Sequence, residues 1–280
     1  MSRVRLGAVG YLNARPLVFG LDAVPRFQLR YDIPSECARV LHDGKIDVGL
    51  IPSIEYLRGG PYRIVPNVAI ASHGPVASVA LYTAKPIERV RSIAMDTSSR
   101  TSVALVHVLC ARQFNIEPAV EQRGPDIGEM LAHCDAALII GDNALVLDPR
   151  REVRLKADPP YDDRGARLPP GVEKIDLGEV WTAMTGLPFV YAFWAGRPGA
   201  LVRNDVAALE RARDAGVAQP EKIAHEYFAG SPEHQALGAR YLRDNIKYDL
   251  GEAERAGLEL FYRYAAEAGV VAGTKRLDFY

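Results

Sequence analysis

Short apolar segments recur along the first two thirds of the chain, and each is followed by polar residues that begin a helix-like stretch. The first covers residues 4–10 and leads to Asn13, and a later one covers residues 92–95 and leads to a hydroxyl-rich turn. Strands separated by roughly ten helical residues indicate βαβ units and a largely parallel sheet. The alternation therefore predicts an α/β fold, with ligands bound beyond the carboxyl ends of its strands. Gly10 by itself is also explained as a residue that simply ends a strand.

A second series of strands and helices begins near residue 85, after a Lys-Pro pair, and ends in an aromatic strand at residues 189–195. The rest of the chain has a helical pattern interrupted by glycine and proline. We expect one lobe from residues 1–84 and 196–280, including the C-terminal helices, and a second lobe from residues 85–195. Two crossings would then form a hinged clamp with a ligand cleft between the lobes.

Composition excludes several classes of protein. The 280 residues are 48% hydrophobic and 25% charged, with a formal net charge of -1, which is typical of a globular protein and does not suit a nucleic-acid surface. No segment approaches the roughly 18 apolar residues of a membrane helix, and the start of the chain lacks the pattern of a signal peptide. The three cysteines, Cys37, Cys110 and Cys134, lie far apart, which predicts neither a disulfide framework nor a zinc site. These features predict a reduced, cytoplasmic protein with a small-molecule partner.

The turn after residues 92–95 has the clearest anion-binding pattern. Ser98, Ser99, Thr101 and Ser102 can donate hydrogen bonds beside the unpaired amides of a first helical turn. The partial positive charge there favours a carboxylate or a phosphate. One hydroxyl is enough for an ordinary N-cap, so capping is the alternative. No Gly-x-x-x-x-Gly-Lys-Ser/Thr motif is present, which disfavours a nucleotide phosphate.

Further polar residues follow other predicted strands. Asp142, after Gly141 at the end of the strand 136–140, can either cap the next helix or face the cleft, where it could orient a substrate hydroxyl or accept a proton. Ser78 lies where the chain leaves the first lobe, and we expect it to reach the cleft. The histidines have no spacing that suits a metal, and no Gly-x-Ser-x-Gly motif occurs, so neither a metal site nor covalent catalysis is expected.

Two further groups of residues have both a structural and a functional explanation. Ser53 and Glu55 begin a helix after another strand, and local structure alone accounts for them. The aromatic residues Tyr191, Phe193 and Trp194 fit strand packing, although one of them could line a pocket for a ring.

Five segments together resemble one known family. They are residues 10–17 (Gly-Tyr-Leu-Asn-Ala-Arg-Pro-Leu), 74–76 (Gly-Pro-Val), 96–102 (Asp-Thr-Ser-Ser-Arg-Thr-Ser), 140–144 (Ile-Gly-Asp-Asn-Ala) and 185–190 (Thr-Gly-Leu-Pro-Phe-Val). In this order, over roughly residues 4–196, they are similar to the chorismate dehydratases of the futalosine route to menaquinone. Residues 147–171 have no counterpart that we can match.

The resemblance implies a fold like that of the type II periplasmic solute-binding proteins, used without a metal or an organic cofactor. It implies a hydro-lyase that removes water from chorismate, a dicarboxylate, to give 3-[(1-carboxyvinyl)oxy]benzoate. Alternatives are a non-catalytic small-anion-binding protein with the same clamp, the later dihydroxynaphthoate-forming enzyme of that pathway, and an interaction protein. The oligomeric state stays open.

Under this resemblance the predicted catalytic residues are Asn13 and Asp142. Asn13 would contact the reacting ring, its leaving hydroxyl or the developing negative charge. The proton acceptor would be Asp142, a water molecule or the second carboxylate of the substrate. The predicted substrate-binding residues are Ser78, Ser98, Ser99, Thr101 and Gly141.

Overall fold

The computed structural model describes residues 3–147 and 171–280, in which ten strands form two five-stranded sheets. The strands are β1 (Val4–Val9), β2 (Phe27–Asp32), β3 (Val48–Pro52), β4 (Arg63–Ser72), β5 (Val79–Thr83), β6 (Ser92–Asp96), β7 (Ala119–Arg123), β8 (Ala136–Ile140), β9 (Glu173–Asp176) and β10 (Phe189–Gly196). The strand order is β2-β1-β3-β10-β4 in the first sheet and β7-β6-β8-β5-β9 in the second.

Helices follow most of the strands and then fill the C-terminal region. They are α1 (Pro34–His42), α2 (Glu55–Arg58), α3 (Arg100–Leu109), α4 (Ile127–His133), α5 (Gly141–Val146), α6 (Leu177–Thr185), α7 (Arg203–Val217), α8 (Pro220–Tyr227), α9 (Pro232–Arg240) and α10 (Glu252–Glu267). Short 3₁₀ turns occur at Leu12–Val18, Leu21–Ala23 and Ile87–Arg89, and π-helical turns at Cys110–Phe114 and Tyr241–Asn245. No helix in the described ranges is both long and apolar enough to cross a membrane.

Both sheets are mixed, whereas the sequence pattern predicts largely parallel ones. In the first sheet, β1 is parallel to β2 and β3, but β10 is antiparallel to β3 and β4. In the second sheet, β6 is parallel to β7 and β8, but β5 is antiparallel to β8 and β9. The antiparallel strands β5 and β10 each arrive from the other lobe. Neither strand follows a crossover helix that starts from its own sheet. Such a helix is the usual reason for neighbouring strands to run parallel.

The predicted lobe boundaries differ from the division made by the sheets. Boundaries at 84/85 and 195/196 assign β5 to the first lobe and β10 to the second, but β5 belongs to the second sheet and β10 to the first. The crossings therefore lie between β4 and β5 and between α6 and β10. Residues 148–171 contain five prolines and many charges, a pattern that predicts an irregular surface excursion, and all of them except residue 171 lie outside the described residues.

One large apolar core includes residues from both sheets and from the C-terminal helices. At its centre, the Trp181 ring on α6 packs edge-on against Phe189 of β10 and Phe261 of α10, with ring centroids 5.2 and 6.1 Å apart. All three side chains are fully buried. The helical tail is thus an integral part of the fold and packs against both lobes.

Candidate active site

A cavity lies between the lobes, beyond the carboxyl ends of β1, β3 and β8. The space inside it, part of which is open to solvent, amounts to ≈ 500 Å³. The polar side chains on its wall are Tyr11, Asn13, Ser78, Ser99, Ser102 and Tyr191. The other lining residues are apolar, apart from the backbone at Gly141, so no charged side chain of the described chain lines this cavity.

Asn13 occupies the 3₁₀ turn that directly follows β1, and it lines the cavity as predicted from its position after the strand. Two contacts hold this turn in place. The Tyr248 hydroxyl donates a 3.0 Å hydrogen bond to the Asn13 backbone carbonyl. Helix α7 approaches the turn so closely that a Cβ atom on Gly216 would lie 2.3 Å from the Pro16 carbonyl oxygen. The Asn13 amide is therefore carried by a rigid segment, as a catalytic group requires.

Ser99 and Ser102 bring the start of α3 to the cavity. Ser99 is the N-cap residue and accepts a hydrogen bond from the Ser102 amide, and the two hydroxyl oxygens are 3.0 Å apart. Both residues line the cavity. N-capping and ligand binding therefore both remain explanations of these hydroxyls, because the N-cap residue Ser99 itself lines the cavity. The positive end of the helix dipole consequently faces the space where a carboxylate can bind.

Ser98 and Thr101 contact the first lobe rather than the cavity. The Ser98 hydroxyl accepts a 3.4 Å hydrogen bond from the Tyr11 hydroxyl, and its carbonyl accepts one of 3.0 Å from the Ser35 amide. The Thr101 hydroxyl accepts a 3.2 Å hydrogen bond from the Ile54 amide. These contacts differ from the prediction that Ser98 and Thr101 bind a carboxylate of the ligand. At this helix start, the hydroxyls of Ser99 and Ser102 belong to the cavity wall, whereas those of Ser98 and Thr101 belong to the lobe interface.

Gly141 places its backbone on the cavity wall at the start of α5. Its φ of +63° lies in the left-handed region, which disfavours any residue with a side chain. A Cβ atom there would also meet the Tyr11 ring at 3.0 Å. The Gly141 amide donates a 2.8 Å hydrogen bond to the Ser78 carbonyl. Glycine is therefore required both by the backbone conformation and by the approach of the other lobe.

Asp142 is buried and joins the two lobes. Its Oδ1 atom accepts a 3.2 Å hydrogen bond from the Leu12 amide, and its Oδ2 atom accepts one of 2.6 Å from the Tyr227 hydroxyl. Asp142 is not among the residues that line the cavity. The structure thus places this predicted catalytic carboxylate in the lobe interface. There it is hydrogen-bonded to the turn that carries Asn13, the other predicted catalytic residue.

Ser78 lines the cavity. The first crossing segment, on which Ser78 lies, is held by Tyr241 and by Asp176, neither of which was singled out from the sequence. The Tyr241 hydroxyl donates a 2.7 Å hydrogen bond to the Ser78 hydroxyl oxygen. The Asp176 carboxylate accepts hydrogen bonds from the Val76 and Ala77 amides, at 3.0 and 2.6 Å, while also capping α6. Ala77 has a φ of +64°, and these bonds stabilise that strained conformation.

Three tyrosines near the cavity, the buried Tyr191 and Tyr241 and the partly buried Tyr11, keep their hydroxyl protons throughout the physiological pH range. Burial raises the pKa of Tyr11 to about 12, although its hydrogen bond with Ser98 acts in the opposite direction. Burial likewise raises the pKa values of Tyr191 and Tyr241 above the ordinary value for tyrosine. Their hydroxyls therefore stay protonated and can hold neighbouring oxygen atoms in place.

A second contact between the lobes lies outside the cavity. The buried Glu55 carboxylate pairs with Arg100 at 2.8 Å, His42 at 2.9 Å and Arg58 at 3.0 Å. Burial alone would raise the pKa of Glu55, but the hydrogen bond from His42 and the two guanidinium groups together lower it. Because α3 carries Arg100, this pairing anchors the start of that helix to the first lobe.

Several of these residues carried little or no signal in the sequence. Tyr11 lies inside the motif at residues 10–17, and Asp176 has the spacing of a capping box with Glu179, yet neither pattern shows contact with the other lobe. Tyr227 and Tyr241 belong to the helical region and have no local motif. Among the described residues, no group of three His, Cys, Asp or Glu side chains is arranged to hold a metal ion.

The two α/β lobes, joined by two crossings and closed over a cavity, define a protein of the periplasmic-binding-protein fold class. Protein AF1704 from Archaeoglobus fulgidus superposes with a TM-score of 0.71 at 17% identity, covering 96% of this chain and 98% of that one. The periplasmic aliphatic sulphonate binding protein SsuA from Escherichia coli gives a TM-score of 0.61 at 18% identity, with coverages of 99% and 96%. At these identities the likeness concerns the fold alone.

Within that class, the chain belongs to the menaquinone biosynthesis family, whose sequence model matches residues 4–267. The chorismate dehydratase of Thermus thermophilus is 32% identical over 91% of this chain and 93% of its own length. The chorismate dehydratase of Campylobacter jejuni is 27% identical over 92% of this chain and 95% of its own length. The family and fold expected from the five motifs are thereby confirmed, and the protein is an enzyme of menaquinone biosynthesis.

Proposed function

We propose that this enzyme is a chorismate dehydratase, a carbon–oxygen lyase that forms 3-[(1-carboxyvinyl)oxy]benzoate and water. The observation that carries the proposal is the cavity between the lobes, whose wall presents amide, hydroxyl and backbone groups and no ionised side chain of the described chain. The relatives named chorismate dehydratase, which align over nine tenths of the sequence, support it further.

The cavity suits an anion that is held by dipoles rather than by countercharges. Ser99 and Ser102 stand at the positive end of α3, and this arrangement favours a carboxylate. Val9, Ile140 and other apolar residues form most of the remaining wall and suit a hydrocarbon ring. Chorismate combines a ring with two carboxylates, so its chemical character fits this distribution of groups.

The reaction places modest demands on the protein. The ring carbon that bears the ether oxygen loses a proton, the neighbouring carbon loses its hydroxyl group, and the ring becomes aromatic. Proton and hydroxyl leave together as water, so no oxidant or nucleophile is consumed. The enzyme must hold the substrate, exclude bulk water and stabilise developing charge, and a rigid closed cavity can do each of these.

The surroundings of Asp142 favour a proton acceptor other than this carboxylate. Its two oxygen atoms already accept hydrogen bonds from Leu12 and Tyr227, and no other carboxylate or imidazole of the described chain lines the cavity. A carboxylate of the substrate becomes more basic when it is desolvated. We therefore favour the substrate's second carboxylate as the acceptor, with Asn13 stabilising the ring or its leaving hydroxyl.

The direct test is incubation of the purified protein with chorismate, without added metal or cofactor, followed by chromatography of the products. Formation of 3-[(1-carboxyvinyl)oxy]benzoate well above spontaneous breakdown would support the dehydratase. Tight binding of chorismate without turnover would instead favour the non-catalytic binding protein. If the protein neither binds chorismate nor converts it, chorismate is refuted as the ligand. The later dihydroxynaphthoate-forming enzyme then becomes the candidate to test.

A further inference from the structure

Tyr241 lies directly behind Ser78, a polar residue of the cavity wall. It belongs to the π-helical turn Tyr241–Asn245 and is only 2% exposed. Its hydroxyl donates a 2.7 Å hydrogen bond to the Ser78 hydroxyl oxygen. Ser78 is on the crossing segment, so a buried phenol from the C-terminal region holds a cavity residue of the segment that joins the lobes.

The direction of this hydrogen bond follows from the donor that the geometry gives. A tyrosine hydroxyl has one proton, and here the Ser78 oxygen receives it. Burial raises the pKa of Tyr241, so the phenol stays protonated and remains a donor.

This direction determines what Ser78 offers to a ligand. Because the Ser78 oxygen accepts from Tyr241, the serine proton is free to be donated elsewhere, and no described residue accepts it. The wall therefore presents Ser78 as a hydroxyl donor, although a serine side chain can serve either purpose.

We propose that Tyr241 is a positioning residue that fixes Ser78 as a donor toward the cavity. The inference rests on the proposed dehydratase function. A hydroxyl donor at this position matches an anionic oxygen of the ligand, and chorismate has two carboxylates.

The test is a double-mutant cycle with the variants Tyr241→Phe, Ser78→Ala and the combination of both, using chorismate as substrate. We expect Tyr241→Phe to lower kcat by about ten- to a hundredfold. The double variant should be no more than about threefold slower than the slower single variant, because Tyr241 acts through Ser78. The matched control is Tyr262→Phe, since that equally buried hydroxyl donates to the Ser53 carbonyl at 2.6 Å. The control should lose thermal stability to a similar extent but keep its kcat.

Turnover by the wild-type protein separates the two hypotheses. A wild-type protein without turnover refutes the dehydratase and this inference together. With an active wild-type protein, three results would overturn the positioning role alone. They are a Tyr241→Phe variant within about twofold of wild-type kcat, fully additive effects in the cycle, or an equal loss of kcat in Tyr262→Phe.

Discussion

The Tyr227 hydroxyl and the Asp142 carboxylate are joined across the two lobes by a hydrogen bond of 2.6 Å. The same hydroxyl lies 3.1 Å from the Gly10 carbonyl oxygen at the end of β1, and Asp142 also accepts from the Leu12 amide. The carboxylate therefore links α8, α5 and the turn that carries Asn13. Because its partners lie on both lobes, we expect this contact to couple lobe closure to the position of a predicted catalytic residue.

The Asp142→Asn variant should separate a role in closure from a role in proton transfer. Its neutral amide would replace the charge-assisted hydrogen bonds of the carboxylate with weaker ones, which weakens the contact between the lobes. We expect KM to rise by about ten- to a hundredfold, while kcat at saturating chorismate falls by less than about fivefold. Steady-state kinetics measures both constants.

The matched variant for this prediction is Tyr227→Phe, which removes the other partner of the same hydrogen bond. It should also raise KM, and the two substitutions should not be additive. A kcat reduced by roughly a thousandfold or more in Asp142→Asn alone, with KM unchanged, would instead identify Asp142 as the proton acceptor.

Asn13→Ala removes the amide that we expect to stabilise developing charge. Turnover should fall by about a hundredfold or more, because such stabilisation acts mainly in the transition state. The control is Gln113→Ala, which removes an exposed amide from the surface. Product formation in single turnovers measures the effect, and near-normal turnover in Asn13→Ala would exclude this residue from the mechanism.

The Glu55 cluster predicts a pH-dependent stability. The pKa of Glu55 is lowered from 4.5 in the folded protein. Its contribution is therefore present at neutral pH and is lost as the pH falls through and below 4.5. We expect Glu55→Gln to lower the free energy of unfolding by about 1–3 kcal/mol at pH 7 and by less at pH 3.5.

Urea denaturation at the two pH values provides the measurement for this cluster. The control is Glu36→Gln, because Glu36 pairs with Arg39 on the surface of α1 and should change stability little. An equal loss of stability at both pH values for Glu55→Gln would show that the cluster contributes through packing rather than through charge.

Gly141→Ala should disfavour the closed state for two separable reasons. The left-handed backbone costs about 1 kcal/mol with any side chain, and the new methyl group would press on the Tyr11 ring. Gly186→Ala is the matched control, since Gly186 has a φ of +73° but no atom near its Cβ position. We expect KM for chorismate to rise by about fivefold or more in Gly141→Ala and to stay unchanged in Gly186→Ala. An unchanged KM in both variants would mean that the Tyr11 ring yields without cost.

Local patterns in the sequence predicted much of this structure. The alternation of apolar strands and helix starts predicted two α/β series, and the polar residue after β1 and the capping residues of α3 line the cavity. Backbone hydrogen bonding and capping depend on neighbours within a few residues of each other. Such features can be inferred without knowledge of which strands pair.

Other features depended on partners far apart in the chain. Hydrophobic periodicity marks β5 and β10 as strands but does not select their neighbours, so the lobe boundaries were misplaced. The same limit applies to the polar groups: Asp142 and Thr101 turned out to bond to the opposite lobe, and Tyr241 to lie behind Ser78. The sequence by itself therefore determined the elements, the family and the kind of groups at the strand ends. The tertiary structure decided which of those groups face the cavity and which join the lobes, because that choice depends on the packing of two lobes against each other, with partners distant in sequence.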